Sequence, residues 1–205
     1  MEKEFKKMDL KKIKSSDLKP LKIKCSSTNC KEGLHCFSRR MKKAEEKYGK
    51  QGVCFECGED SIDWERMHKN DLTDSKFMIA SLNKEFIRTV FWEMKIDRKA
   101  IESAQKKGKS ELRVEARKLL KNRIGKYNDF IDSRQTPLGK DNIINYAQHA
   151  TATCCRECLQ AWHNIPLTNV LTDNQLDFCT NLVMKFIEER VPAISDQKIE
   201  KKMSA

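Results

Sequence analysis

The chain has 205 residues, 39% of them hydrophobic and 35% charged, which suffices for a buried core in one large domain or two small ones. A formal net charge of +11 draws such a chain toward phosphate polyanions, although lysine charge alone gives salt-sensitive binding without sequence readout. No uninterrupted apolar run marks a membrane span or secretory segment, and nine cysteines at ligand-like spacings argue against a disulfide framework, so a reduced, cytoplasmic protein without a membrane partner is expected.

In chain order, residues 1–24 read as a basic, solvated arm and residues 25–73 as a Cys-rich module. Cys25-x4-Cys30 and His35-Cys36 precede Cys54-x2-Cys57-Gly58. Two such cysteine pairs are what a zinc-ribbon-like or treble-clef-like module requires, since each pair makes one knuckle and the knuckles meet at one ion. The second half is the stronger, because Gly58 permits the positive-φ turn that aims backbone N–H groups at the sulfurs. In the first half Cys25, Cys30 and Cys36 compete for two places, with His35 a further contender. The expected ligands are Cys30, Cys36, Cys54 and Cys57, with Cys25 as the alternative. A helix near 38–47 lies between the knuckles. Its basic entry, Arg39, Arg40, Lys42 and Lys43, is expected to hold a nucleic-acid backbone, or else an acidic protein surface.

Residues 74–192 read as a helical domain and 193–205 as a polar tail. From Asp74 to about Trp92, Phe77, Ile79, Leu82, Phe86, Ile87 and Val90 recur at helical spacing behind a cap at Asp74. Helices over 97–107 and 110–123 follow, the second with Leu112, Ala116, Leu119, Leu120 and Ile124 on one face and Gly125 past its end. An irregular loop runs to about Lys140. The last helix opens on the capping box Thr172-x-x-Gln175, carries Leu176, Cys179, Leu182, Val183, Phe186 and Ile187 as its buried stripe, and stops at Pro192.

Between these helices lies the densest group of chemistry-bearing residues: His149, Cys154, Cys155, Cys158 and His163 fall within fifteen residues. Thiolate and imidazole are the ligands zinc prefers, and Cys155-x2-Cys158 is the commonest local knuckle. If Thr153 caps a helix from Cys154 to about Trp162, His149 approaches from the preceding loop and His163 from the following one. The expected second site is therefore Cys155, Cys158, His149 and His163, with Cys154 as the alternative ligand, giving a mainly α protein that holds two zinc ions. Two other readings stand beside it. Cys154 near a helix N-terminus, with His149 as its base, is a candidate nucleophile. Three cysteines also suit part of an iron–sulfur cluster, whose fourth thiolate would come from elsewhere, with Cys179 available.

The runs Arg134-Gln135-Thr136-Pro137, then Tyr146-Ala147-Gln148-His149-Ala150-Thr151-Ala152-Thr153-Cys154-Cys155-Arg156-x-Cys158-Leu159, then Trp162-His163-x-Ile165-Pro166, resemble an uncharacterised bacterial family bearing the same signature. The likeness covers about Phe91 to Pro192. It implies a bacterial or mobile-element protein with a shared site around His149, Cys154, Cys155, Cys158 and His163, and it implies no activity.

The expected function is a zinc protein that binds nucleic acid, as the recognition subunit of a larger complex or alone. A metal-dependent hydrolase or nuclease and a protein-interaction module are the alternatives. The nuclease reading rests on the second cluster and on His68 among Asp63, Glu65 and Asp71, yet no second histidine follows at a useful spacing. Phosphate-cradling glycine motifs are missing, and His149-Ala150-Thr151 lacks the glutamate a zinc deaminase needs.

Overall fold

In the computed structural model the described residues are 24–126, 136–139, 141–191, 194 and 195. The basic arm before Lys24, Arg134, Gln135, Lys140, the stop at Pro192 and the tail from Asp196 all lie outside them. Eight α-helices carry the described chain: α1 Met41–Tyr48, α2 Trp64–Met67, α3 Ser75–Leu82, α4 Phe86–Glu93, α5 Arg98–Arg123, α6 Ile143–Ala150, α7 Arg156–His163 and α8 Asp173–Arg190. Among the described residues the extended pairings are two isolated bridges, Asn29 with Leu34 and His35 with Glu85. The N-terminal knuckles are thus turns around α1 rather than paired ribbon strands.

The helical body follows its apolar pattern. In α8 the box closes as expected, Gln175 N donating to Thr172 Oγ1 at 3.2 Å and Thr172 N to Gln175 Oε1 at 3.0 Å. All six residues of its stripe are buried. This face meets α5 and α6, and α4 packs on α6. In α5 the buried side is Ala100, Ala104, Gly108, Leu112, Ala116 and Leu120, mostly small residues that allow close approach. The two helices expected here are joined end to end. Gly108 sits at φ 73° and ψ 174° inside α5, a conformation open essentially to glycine alone, and breaks the axis between them.

Several expectations are corrected. The single helix over 74–92 is two, α3 and α4, because the chain turns at Asn83–Glu85. There Lys84 O accepts from His35 N at 2.8 Å and Phe86 N donates to His35 O at 2.9 Å. The break tethers the N-terminal module to the helical body. Asp74 caps nothing with its side chain, which instead holds the Arg66 guanidinium through two bonds of 2.6 and 2.9 Å. The segment before the second cluster, read as loop, contains α6, whose residues are all buried. Finally, α7 begins at Arg156 with Cys155, not Thr153, as its N-cap; the Cys155 sulfur accepts from Cys158 N at 3.4 Å.

Candidate metal centres and basic groove

Cys30, His35, Cys54 and Cys57 come together, their ligand atoms all within 4.8 Å of one another. Cys30 Sγ lies 3.9 Å from Cys54 Sγ, and Cys57 Sγ 3.3 Å from His35 Nδ1. Tetrahedral zinc with bonds of about 2.3 Å to sulfur and about 2.0 Å to nitrogen sets ligand edges of about 3.5–3.8 Å, so three thiols and one imidazole fit such an ion. The local chain makes this possible. Gly58, at φ +77°, closes the knuckle by donating to Cys54 O at 2.8 Å. Burial alone would raise the Cys54 thiol, but backbone hydrogen bonds from Cys36, Cys57 and Glu56 bring it below its ordinary value. Burial pushes the Cys30 thiol up to about 12, with the Cys57 side chain adding to it. It also lowers His35, leaving the neutral imidazole that a metal requires.

The structure places His35 where Cys36 was expected. The Cys36 sulfur faces the carbonyls of Cys25, at 3.4 Å, and Arg39, at 4.0 Å, so that residue serves the cluster with its backbone N–H instead. Adjacent residues leaving the Asn29–Leu34 bridge point to opposite sides, and His35 takes the one that faces Cys30, Cys54 and Cys57.

The second cluster consists of Cys154, Cys155 and Cys158, all buried, with sulfurs within 4.8 Å. Cys155 Sγ and Cys154 Sγ lie 3.3 and 3.6 Å from Cys158 Sγ. Neither expected histidine joins them. His149 is in the last turn of α6, where its ring stacks on Phe91 at 4.5 Å and its Nε2 faces Pro137 O at 3.2 Å. His163 ends α7 and turns its Nε2 to Thr151 O at 3.0 Å. Burial, with the Arg88 charge adding to it, lowers both imidazoles to about 4. Cys154, the candidate nucleophile, is fully enclosed and lies before the helix rather than in its first turn. A hydrogen bond with Cys155 acts to lower its thiol, but the Cys158 side chain and burial together outweigh it and raise the thiol well above its ordinary value. Cys179 is buried in α8 as a core residue.

What the sequence reading missed is the support of this cluster. Arg88, fully buried, donates to Cys158 Sγ at 3.0 Å, to Cys154 Sγ at 3.7 Å and to His149 O at 2.6 Å. Its Nε bonds Glu85 Oε2 at 2.9 Å, and Glu85 is equally buried. Glu85 also accepts from Phe37 N, Ser38 N, Ser38 Oγ and Trp162 Nε1 at 2.7–3.0 Å. One ion pair therefore ties the N-terminal module, α4, α7 and the thiols together. The signal for it was two charges three residues apart, the second flanked by Ile87 and three residues before Phe91.

Between the module and α7 runs a groove of about 860 Å³. Arg39, Arg40, Lys42 and Lys43 line it together with Trp64, His68 and Glu157. Arg39 pairs with Glu157, and Arg40 with Glu56 at 3.6 Å, whereas Lys42 and Lys43 are exposed. Trp64 is fixed by a 2.9 Å bond to Gly52 O and leans on Trp162 at 5.1 Å. The N-terminus of α1 has no side-chain cap and no acidic residue in its first turn, and its first residues, Met41, Lys42 and Lys43, line this groove. His68 faces Ala161 O at 3.3 Å rather than an acidic partner.

The model of the family described as "Domain of unknown function (DUF4186)" matches residues 76–188. The chain belongs to this family. No solved structure matches it. The DUF4186 region starts in α3, earlier than the signature suggested, and ends near the close of α8. It contains the three-thiol cluster, Glu85 and Arg88, while the Cys30/His35/Cys54/Cys57 cluster and the basic side of the groove precede it. No helix among the described residues is long and apolar enough to cross a membrane.

Proposed function

We propose that this DUF4186 protein is a zinc-binding protein that holds nucleic acid through its phosphate backbone. Zinc at Cys30, His35, Cys54 and Cys57 is structural: four protein ligands close its shell, and its binding energy contributes to folding of the module. Bound there, the ion cross-links the two knuckles and so fixes the segment that carries Arg39, Arg40, Lys42 and Lys43. The observation that carries the nucleic-acid reading is the convergence of these cations with the open N-terminus of α1 on one groove. Contacts of this type position a backbone and read no sequence. Arg39 and Arg40 are partly satisfied by Glu157 and Glu56, which leaves Lys42 and Lys43 as the principal phosphate contacts.

The hydrolase alternative gains nothing from the geometry. The imidazoles of His149, His163 and His68 are each engaged with a backbone carbonyl, and the thiols of the second cluster are enclosed.

The test is binding of fluorescent single- and double-stranded oligonucleotides to the zinc-loaded chain across a salt series. Log affinity is expected to fall linearly with log salt, and Lys42→Ala with Lys43→Ala to make the slope shallower by about 1.4–1.8. Absence of binding at low salt, or an unchanged slope in the double variant, would remove the nucleic-acid reading and leave an acidic protein surface as the partner of the groove.

A further inference from the structure

The nine cysteines sort themselves by position. Cys30, Cys54 and Cys57 belong to the first cluster and Cys154, Cys155 and Cys158 to the second. The Cys36 sulfur is occupied by carbonyls, and Cys179 is buried in α8. Cys25 remains, half-buried at the turn that Ser27 closes onto Lys24.

Cys25 shares its neighbours with the three-thiol cluster. The Cys36 sulfur bridges the carbonyls of Cys25 and Arg39, and Arg39 pairs with Glu157, one of the two residues between the thiols of the Cys155-x2-Cys158 knuckle. Burial acts to lower the Arg39 guanidinium, yet Cys158, Cys155 and Cys25, acting together, raise it. Arg88 is likewise opposed by burial and raised by Cys158, Glu85, Cys154 and Cys25. The two guanidiniums between them thus face all four sulfurs, and Arg88 gives Cys154 and Cys158 N–H donors, at 3.7 and 3.0 Å, of the kind that support metal-bound thiolates. The Cys25 backbone is held in turn by Cys36, whose sulfur bonds its carbonyl at 3.4 Å. The three sulfurs that already lie within 4.8 Å leave one corner of a tetrahedron to fill, and the Cys25 sulfur, outside that group, must move in to occupy it.

We infer that Cys25, Cys154, Cys155 and Cys158 form a second, tetrathiolate zinc site that clasps the N-terminal module to the DUF4186 region. The inference rests on the zinc reading given above and extends it to a different set of ligands. It explains why three thiols are enclosed beside a buried arginine. It also replaces His149 and His163, whose rings are held elsewhere, as the ligands that complete the site.

The test is native alkylation of all nine cysteines in the full zinc-loaded chain, mapped by mass spectrometry with and without a strong chelator and read beside zinc content. Cys36 and Cys179 serve as references for protection by packing alone. The expected result is two zincs per chain, with Cys25 protected until the chelator is added despite its partial exposure, and a fall to one zinc in Cys25→Ser. Rapid alkylation of Cys25 in a chain that holds two zincs would overturn its assignment. One zinc, with chelator-sensitive protection confined to Cys30, Cys54 and Cys57, would overturn the second site and leave the first intact. Zinc-free protein would remove both. The alkylation arm uses the wild-type chain, so a folding failure of Cys25→Ser leaves the question decided.

Discussion

Glu85 and Arg88 decide much at the scale of single residues, because each is fully buried and each is the other's ion-pair partner. Removing one partner of such a pair strands a charge in a low-dielectric interior. Arg88→Met should therefore cost about 3–5 kcal/mol in denaturant unfolding at fixed zinc, far more than a surface arginine, and an effect below about 1 kcal/mol would contradict the hub. His163 makes a second residue-scale prediction. Its folded value of about 4 lies below its ordinary 6.5, so as pH falls the unfolded chain takes up the proton first. The corresponding stability is full above about pH 6.5 and drains as pH falls toward 4, at up to about 1.4 kcal/mol per pH unit. Unfolding measured between pH 7 and 5 should show a shallower slope in His163→Gln than in wild type; equal slopes would show that His163 does not titrate on unfolding. The ligand-type residues were legible from spacing, and three of the four in the first cluster, Cys30, Cys54 and Cys57, were named from it. The choice between His35 and Cys36 was not, because adjacent residues differ only in which side of an extended backbone they face. Nor was Glu85–Arg88, since an isolated charge pair in a helical stretch ordinarily faces solvent.

At the scale of elements, legibility followed amphipathicity. α8 has a cap, a stripe and a polar back, and its start and buried face could be read directly. α6 was missed because every one of its residues is buried, so Ile143–Ala150 shows no polar face to set a period. The α3–α4 break was hidden for the opposite reason. The apolar spacing runs through it, and only the long-range pairing of His35 with Lys84 and Phe86 interrupts the helix. Gly108 gives this scale its prediction. A side chain at φ 73° and ψ 174° is strained whatever space surrounds it, so Gly108→Ala should lower stability by about 1–3 kcal/mol while leaving zinc content unchanged. A neutral effect would mean that α5 can run straight through this position without loss.

At the scale of the molecule, an N-terminal module of turns is fastened to a helical body at three levels: the His35–Glu85 backbone bridge, the Glu85–Arg88 hub and, by the inference above, a shared metal. The groove lies along this junction, so whatever fixes the module also fixes the cations beside α7. Chelation should therefore weaken oligonucleotide binding even though no phosphate contact is a metal ligand. The most direct test of the account is elemental analysis of zinc per chain in purified wild type and Cys57→Ser. Two zincs falling to one are predicted, with the DUF4186 helices retained by circular dichroism. A metal-free wild type that is folded and cooperative would contradict the account at its root.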